Sequence, residues 1–64
     1  MKVLALDYGR ARTGVAVSDP TGTIARPLGV VERAATKEGL RRVREIVEKE
    51  QVERVVVGLP LTLG

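Results

Sequence analysis

The chain has 64 residues, 11 Lys and Arg against 8 Asp and Glu for a net charge of +3, and neither cysteine nor histidine. That length holds at most one domain, near the lower limit for a self-sufficient core. The missing residue types exclude disulfides, thiolate metal sites and the usual general base, so catalysis must rest on carboxylates, lysine, tyrosine or hydroxyls.

In chain order, Lys2 to Asp7 reads as a strand whose consecutive apolar residues imply cover on both faces. An acid at the end of a buried strand needs a cation, and a metal ion or an arginine can serve. Gly9 to Thr13 forms a turn, and Gly14 to Ser18 a second strand with Val15 and Val17 on one face, Ala16 and Ser18 on the other. Asp19-Pro20-Thr21-Gly22 is a turn, with Pro20 presetting the backbone and Gly22 free to take positive φ. Thr23 to Val31 is a third strand, which Pro27 confines to an edge because it cannot donate a ladder hydrogen bond. Glu32 to Ala35 links to a helix capped by Thr36, with Glu38 in its first turn. Leu40, Val43, Ile46 and Val47 share one helical face. Charged residues at i,i+4, namely Glu38–Arg42, Arg41–Glu45 and Glu45–Lys49, lie on the other, as ion pairs or a solvated face. Gly39 costs about 1 kcal/mol relative to Ala in a helix, and close packing on the sheet would be its reason. Val52 to Leu59 is the fourth strand, all-apolar at Val55-Val56-Val57, as suits a buried strand parallel to its neighbour after a crossover helix. Gly58 and Pro60 end it.

These elements predict an α/β fold, β-β-β-α-β, with a mixed sheet of order 3-2-1-4 and one crossover helix. The fourth strand then lies at an edge, where its apolar residues invite pairing with a second copy. The charge of +3 permits a polyanionic partner. No apolar run approaches the roughly 18 residues of a membrane span, and Asp7 interrupts the only N-terminal apolar run, against a signal peptide. The cytoplasm is the expected location, with no membrane partner. The absence of asparagine and a charged fraction of 30% lean toward a heat-adapted source.

Three blocks, Asp7-Tyr8-Gly9-x-x-Arg12-x-Gly14-Val15-Ala16-Val17-Ser18-Asp19, Arg26-Pro27-Leu28 and Val56-Val57-Gly58-Leu59-Pro60-Leu61, resemble the YqgF/RuvX family in the family's order. These RNase H-like proteins are described as Holliday junction resolvases and as nucleases that process pre-16S rRNA. The resemblance implies that residues 1–64 are a single partial domain, the N-terminal half of an RNase H-like fold. It implies that Asp7 is the first catalytic carboxylate and a ligand of Mg²⁺ or Mn²⁺, and that the substrate is structured nucleic acid, an RNA or a DNA junction. The family's other acidic residues come later, at positions this sequence does not have, so the chain by itself is expected to be inactive.

Arg10 and Arg12 sit beside Asp7, where they can clamp backbone phosphates. The alternatives are solvent-exposed loop arginines, an Arg12–Asp19 pair, and, for Asp7, a turn-initiating carboxylate that bonds backbone amides. Tyr8, the only aromatic, offers no stacking platform. Ser18 and Thr13 lack a base that would make them nucleophiles. Two other functions compete with the nuclease: an actin-like or sugar-kinase-like ATPase, whose phosphate loop also follows a first strand with Asp-x-Gly, and a non-catalytic, self-associating fragment.

Overall fold

The computed structural model describes residues 1–59, the side chains of Ile24 and Ala25 excepted, so Pro60 and Leu61 of the third block lie outside the described residues. The elements are β1 (Val3–Asp7), β2 (Arg12–Ser18), β3 (Ile24–Glu32), α1 (Lys37–Glu50) and β4 (Arg54–Gly58), in a sheet of order β3-β2-β1-β4. The predicted topology is the observed one. β1 pairs antiparallel with β2 and parallel with β4, and β3 is the far edge strand. Pro27 lies on that edge, beside a register shift that leaves Leu28 unpaired between Pro27 and Gly29. A residue without an N–H is tolerated there because the ladder is already broken.

Alternation along each strand sorts residues to two faces. Leu4, Val15, Val17 and Val31 point toward α1 and form the buried core with Ala34, supported by Leu6, Leu28, Val43, Ile46, Val47 and Val52. Thr13 shares this face and is fully buried. The opposite face has no layer over it among the described residues. This corrects the expectation that β1 is covered on both faces. It also corrects the expectation for β4, where all five residues are exposed, Val55, Val56 and Val57 by 43%, 49% and 50%.

The helix begins as the sequence indicates. The Thr36 hydroxyl accepts the Gly39 N–H at 3.1 Å, which satisfies one of the orphan donors of the first turn. The buried stripe differs from the predicted one. Gly39 is buried and Leu40 is 59% exposed, so the inward line runs Gly39, Val43, Ile46, Val47, Glu50. The cause is a close approach of main chains. A Cβ on Gly39 would lie 2.6 Å from Ala34 Cα and 2.7 Å from the Arg33 carbonyl carbon, with the carbonyl oxygen nearer still. Gly39 therefore packs on the Arg33–Ala34 turn, not on the sheet. Leu40, about 100° further round the helix, is carried out of the interface.

Of the two readings of the charged helix face, the solvated one holds: Glu38–Arg42, Arg41–Glu45 and Glu45–Lys49 form no ion pairs among the described residues. Glu38 pairs with Arg41 at 2.6 Å and Arg44 with Glu48 at 3.2 Å. Exposed pairs of this kind stabilise little. The ion contacts that tie the fold together are longer in range. Lys2 Nζ and Arg26 Nη2 each lie 3.1 Å from Glu50 Oε1, and that pairing holds the Glu50 carboxyl below its ordinary value near 4.5. They bind the helix C-terminus to β1 and β3.

The Asp19 turn forms as expected. Gly22 has φ +95°, and Asp19 Oδ1 accepts the Thr21 N–H at 2.9 Å and the Thr23 N–H at 3.1 Å. The Thr21 hydroxyl also donates to it, and these bonds lower the Asp19 pKa, the hydroxyl most of all.

Candidate functional site

Asp7 is the last residue of β1. Its neighbours in the sheet are Gly14 on β2 and Gly58 on β4, and beyond Gly14 the row ends in Val30. Asp7 therefore stands between two residues without side chains. A Cβ on Gly14 would sit 3.7 Å from Asp7 Cβ, so each additional atom at that position would narrow the space beside the carboxylate. The row below, Pro27, Ala16, Ala5 and Val56, is small in its centre. Asp7, Gly14 and Gly58 line a shallow concavity with Pro27, Ala16, Ala5 and Val56.

Asp7 is exposed, which overturns the argument that it ends a buried strand and must have a cation to be tolerated. The bare glycine row leaves its carboxylate to solvent. The turn-initiating alternative fares no better, since no backbone amide donates to the Asp7 carboxylate among the described residues. The Tyr8 N–H donates to the Gly58 carbonyl at 3.0 Å, fastening the chain just past Asp7 to the end of β4. Asp7 thus holds a fixed position with its side chain exposed. Among the described residues no three acidic side chains converge as a metal cage would require. The glycines at 14 and 58 leave open space on both sides of the Asp7 side chain.

Arg12 belongs to β2, not to the turn, because Thr13 is buried on the helix side and continues the alternation. Arg12 consequently shares the uncovered face with Gly14 and Asp7, opposite Glu32 on β3. Arg10 lies in the connecting loop and is exposed. Gly9 fixes that loop's shape, since a Cβ there would meet the Arg12 carbonyl oxygen at 2.5 Å. Neither arginine forms an ion pair among the described residues, so the Arg12–Asp19 alternative is not realised. The structure thus brings Asp7, Arg10 and Arg12 to one end of the sheet.

The loop has a second anchor in Arg33, within the segment that links β3 to the helix. The Arg33 N–H donates to the Ala11 carbonyl at 3.0 Å, holding the β1–β2 loop against the end of β3. Arg33 has φ +49°, and no local sequence signal marks an arginine for that conformation. Thr13 Oγ1 is buried and has no hydrogen-bond partner among the described residues. Ser18, by contrast, accepts the Val3 N–H at 2.7 Å and donates to the Asp19 carbonyl at 2.9 Å, a structural role that ties β1 to β2.

A sequence model of the RuvX family, described as Holliday junction resolvase, matches residues 1–64. Among curated proteins, the chain is 49% identical over 64 residues to a "Putative pre-16S rRNA nuclease" of Desulforudis audaxviator, covering 100% of this chain and 45% of that protein. It is 55% identical over 62 residues to the protein of the same name from Rubrobacter xylanophilus, covering 97% of this chain and 42% of the relative. A third, from Caldanaerobacter subterraneus, is 47% identical over 64 residues, covering 100% and 46%. The chain thus spans a little under half the length of these relatives.

Proposed function

The chain belongs to the RuvX family, and from that premise we propose that it is the nucleic-acid-facing N-terminal part of a metal-dependent endonuclease. Its substrate is structured nucleic acid, either precursor 16S rRNA or a Holliday junction, handled in the cytoplasm. The observation that carries this reading is the row Gly14–Asp7–Gly58, which presents one carboxylate with space on both sides, beside two arginines without an ion pair among the described residues. A divalent ion of the Mg²⁺ or Mn²⁺ type, when bound, supplies activation of water and stabilisation of the leaving oxygen. Asp7 offers a carboxylate oxygen as ligand. Arg10 and Arg12 donate charge-assisted hydrogen bonds to backbone phosphates, which orient the strand without reading its sequence. One carboxylate does not make a two-metal site, so the isolated chain binds but does not cut.

The test is cleavage of a four-way junction and of a precursor rRNA fragment by a full-length family protein that carries this sequence as its first 64 residues. Asp7→Asn, which keeps size and shape, is expected to abolish cleavage while binding persists. Cleavage at the wild-type rate would remove Asp7 from the chemistry. Family membership favours a nuclease over the ATPase-like alternative, and a thermal shift on adding nucleotide would reverse that preference.

The self-associating reading rests on β4. Its outer edge has no strand beside it among the described residues, and Val55 and Val57 expose apolar surface on the side of the sheet that also carries exposed Leu40. Such an edge is a template for another strand. We infer that the isolated chain forms homo-oligomers through β4, and sedimentation across micromolar concentrations that shows only monomer would refute it. None of its described helices is long and apolar enough to cross a membrane.

A further inference from the structure

We propose that Arg33 is a third phosphate-contacting residue, extending the basic strip of Arg10 and Arg12 from the β1–β2 loop onto the end of β3. The inference rests on the nucleic-acid reading above and adds a residue of the link between β3 and the helix.

Three observations converge on it. The first is position. Arg33 follows Glu32, the register partner of Arg12, and its N–H is bonded to Ala11, the residue between Arg10 and Arg12. Its main chain is therefore locked to the loop that carries the other two arginines, at the end of the sheet where Asp7 lies. The second is rigidity. The Arg33 carbonyl accepts the Thr36 N–H at 3.0 Å and the Thr36 hydroxyl at 2.7 Å, and Gly39 packs against the same peptide. A side chain on so constrained a backbone loses less freedom when it binds than one on a mobile loop.

The third observation is that the arginine has no structural reason to be there. Its φ of +49° falls in the left-handed region, where glycine carries no Cβ penalty and asparagine is tolerated. An arginine is among the less suitable residues for this conformation, and its side chain gives nothing back to the fold. It makes no hydrogen bond and no ion pair among the described residues, and it is exposed. Glu38, which lines the same groove, is engaged by Arg41 instead. Backbone strain maintained for a side chain with no internal partner points to an external one. A guanidinium beside two others on a rigid edge fits the phosphates of a nucleic-acid strand, which it can bind bidentately.

The experiment is a salt titration of binding, read by fluorescence anisotropy, with the chain and two labelled probes: a four-way DNA junction and an RNA hairpin with single-stranded flanks. Arg33→Gly is the informative variant because it keeps the backbone conformation and removes the guanidinium. Its melting temperature is expected to equal or exceed that of the wild type. Its binding to both probes is expected to weaken several-fold, with the slope of log K against log salt flattened by about 0.7–0.9, one phosphate's worth of released counterions. Arg33→Gln, which retains a side chain in the same conformation, should lose the same slope, and Arg33→Lys should recover most of it. Arg54→Ala removes equal charge at the opposite end of β4, beside Val3 rather than Asp7, and should leave the slope near that of the wild type. If Arg12→Ala flattens the slope while Arg33→Gly and Arg33→Gln do not, the Arg33 assignment is wrong and the nucleic-acid reading stands. Equal losses from Arg33→Gly and Arg54→Ala would also overturn it, as an effect of net charge alone. If the wild type binds neither probe, the nucleic-acid reading falls and this inference with it.

Discussion

Gly39→Ala sets two effects of opposite sign against each other. Helix propensity alone makes the substitution stabilising by about 1 kcal/mol, since glycine is the poorer residue inside a helix. The packing opposes it. The new Cβ would lie 2.6 Å from Ala34 Cα and 2.7 Å from the Arg33 carbonyl carbon, where carbon atoms normally stay about 3.5–4.0 Å apart. Both obstacles are main-chain atoms, so no rotamer change relieves them. The first turn of α1 must lift by roughly an ångström, which loosens the Thr36 bonds to the Arg33 carbonyl and the burial of Ala34 and Val43. Overpacking costs about 1–3 kcal/mol, and an immovable backbone places this case at the top of that range. The net expectation is a loss of about 2 kcal/mol. That is a fall in melting temperature of about 8–16 °C for a domain this small. Far-UV circular dichroism during urea and thermal unfolding gives the measurement, and Leu40→Ala, at a site 59% exposed, serves as a helix control expected within about 0.5 kcal/mol of wild type. A Gly39→Ala chain as stable as the wild type, or more so, would refute the close-packing account of this glycine and of the stripe it centres.

Thr13→Val replaces a fully buried hydroxyl that has no partner with a methyl of the same shape, so stability should rise by about 1 kcal/mol; an unchanged or lower midpoint in urea would show that the hydroxyl is satisfied. The carboxyls of Asp19 and Glu50 are held below their ordinary values near 3.8 and 4.5, so their contribution is complete above those values and is lost as pH falls through the lower folded ones. Melting temperature should be level from pH 7 to about 5 and decline toward pH 3, with a smaller decline in Glu50→Gln, whereas a flat profile would contradict both pairings. Val56→Lys, placing a charge on the exposed edge strand, should shift the sedimenting species to monomer; continued association would locate the contact elsewhere.

Much of the architecture was legible because its determinants are local. Pro27 marks an edge, Asp19 and Gly22 make a turn, and Thr36 caps a helix, each through its own backbone chemistry. What escaped depends on what lies opposite. Thr13 is a polar residue in the core, so the apolar alternation is visible only from Gly14, two positions after the strand begins at Arg12. Leu40 joins Val43, Ile46 and Val47 on the apolar face by spacing because glycine carries no hydropathy signal, yet the close approach at Gly39 sets the rotation and turns Leu40 outward. Asp7 follows an apolar run, which argues for burial, but two glycines on neighbouring strands and an uncovered face decide its exposure. Asp7, Arg10 and Arg12 were recognisable as a group. Arg33 was not, because a left-handed φ at an arginine has no local sequence signature.

The parallel pairing of β1 with β4 also fixes the order in which the molecule can assemble. β1, β2 and β3 meet through short loops, whereas Lys2 and Glu53 are 51 residues apart when their main chains bond. Closing a loop ten times longer than a hairpin connection costs about 2 kcal/mol more in chain entropy, so the three-stranded meander forms first and β4 docks last. Gly58 is the final residue of β4, and its carbonyl receives the Tyr8 amide. The surroundings of Asp7 are therefore completed by the last event of folding. During synthesis from the N-terminus, Asp7 and its arginines leave the ribosome before the strand that holds them in place. Pulse-labelled hydrogen exchange should find the Tyr8 amide protected later than the Val15 and Val17 amides of the meander. A chain stalled before β4 docks would carry the charges of the site without its geometry.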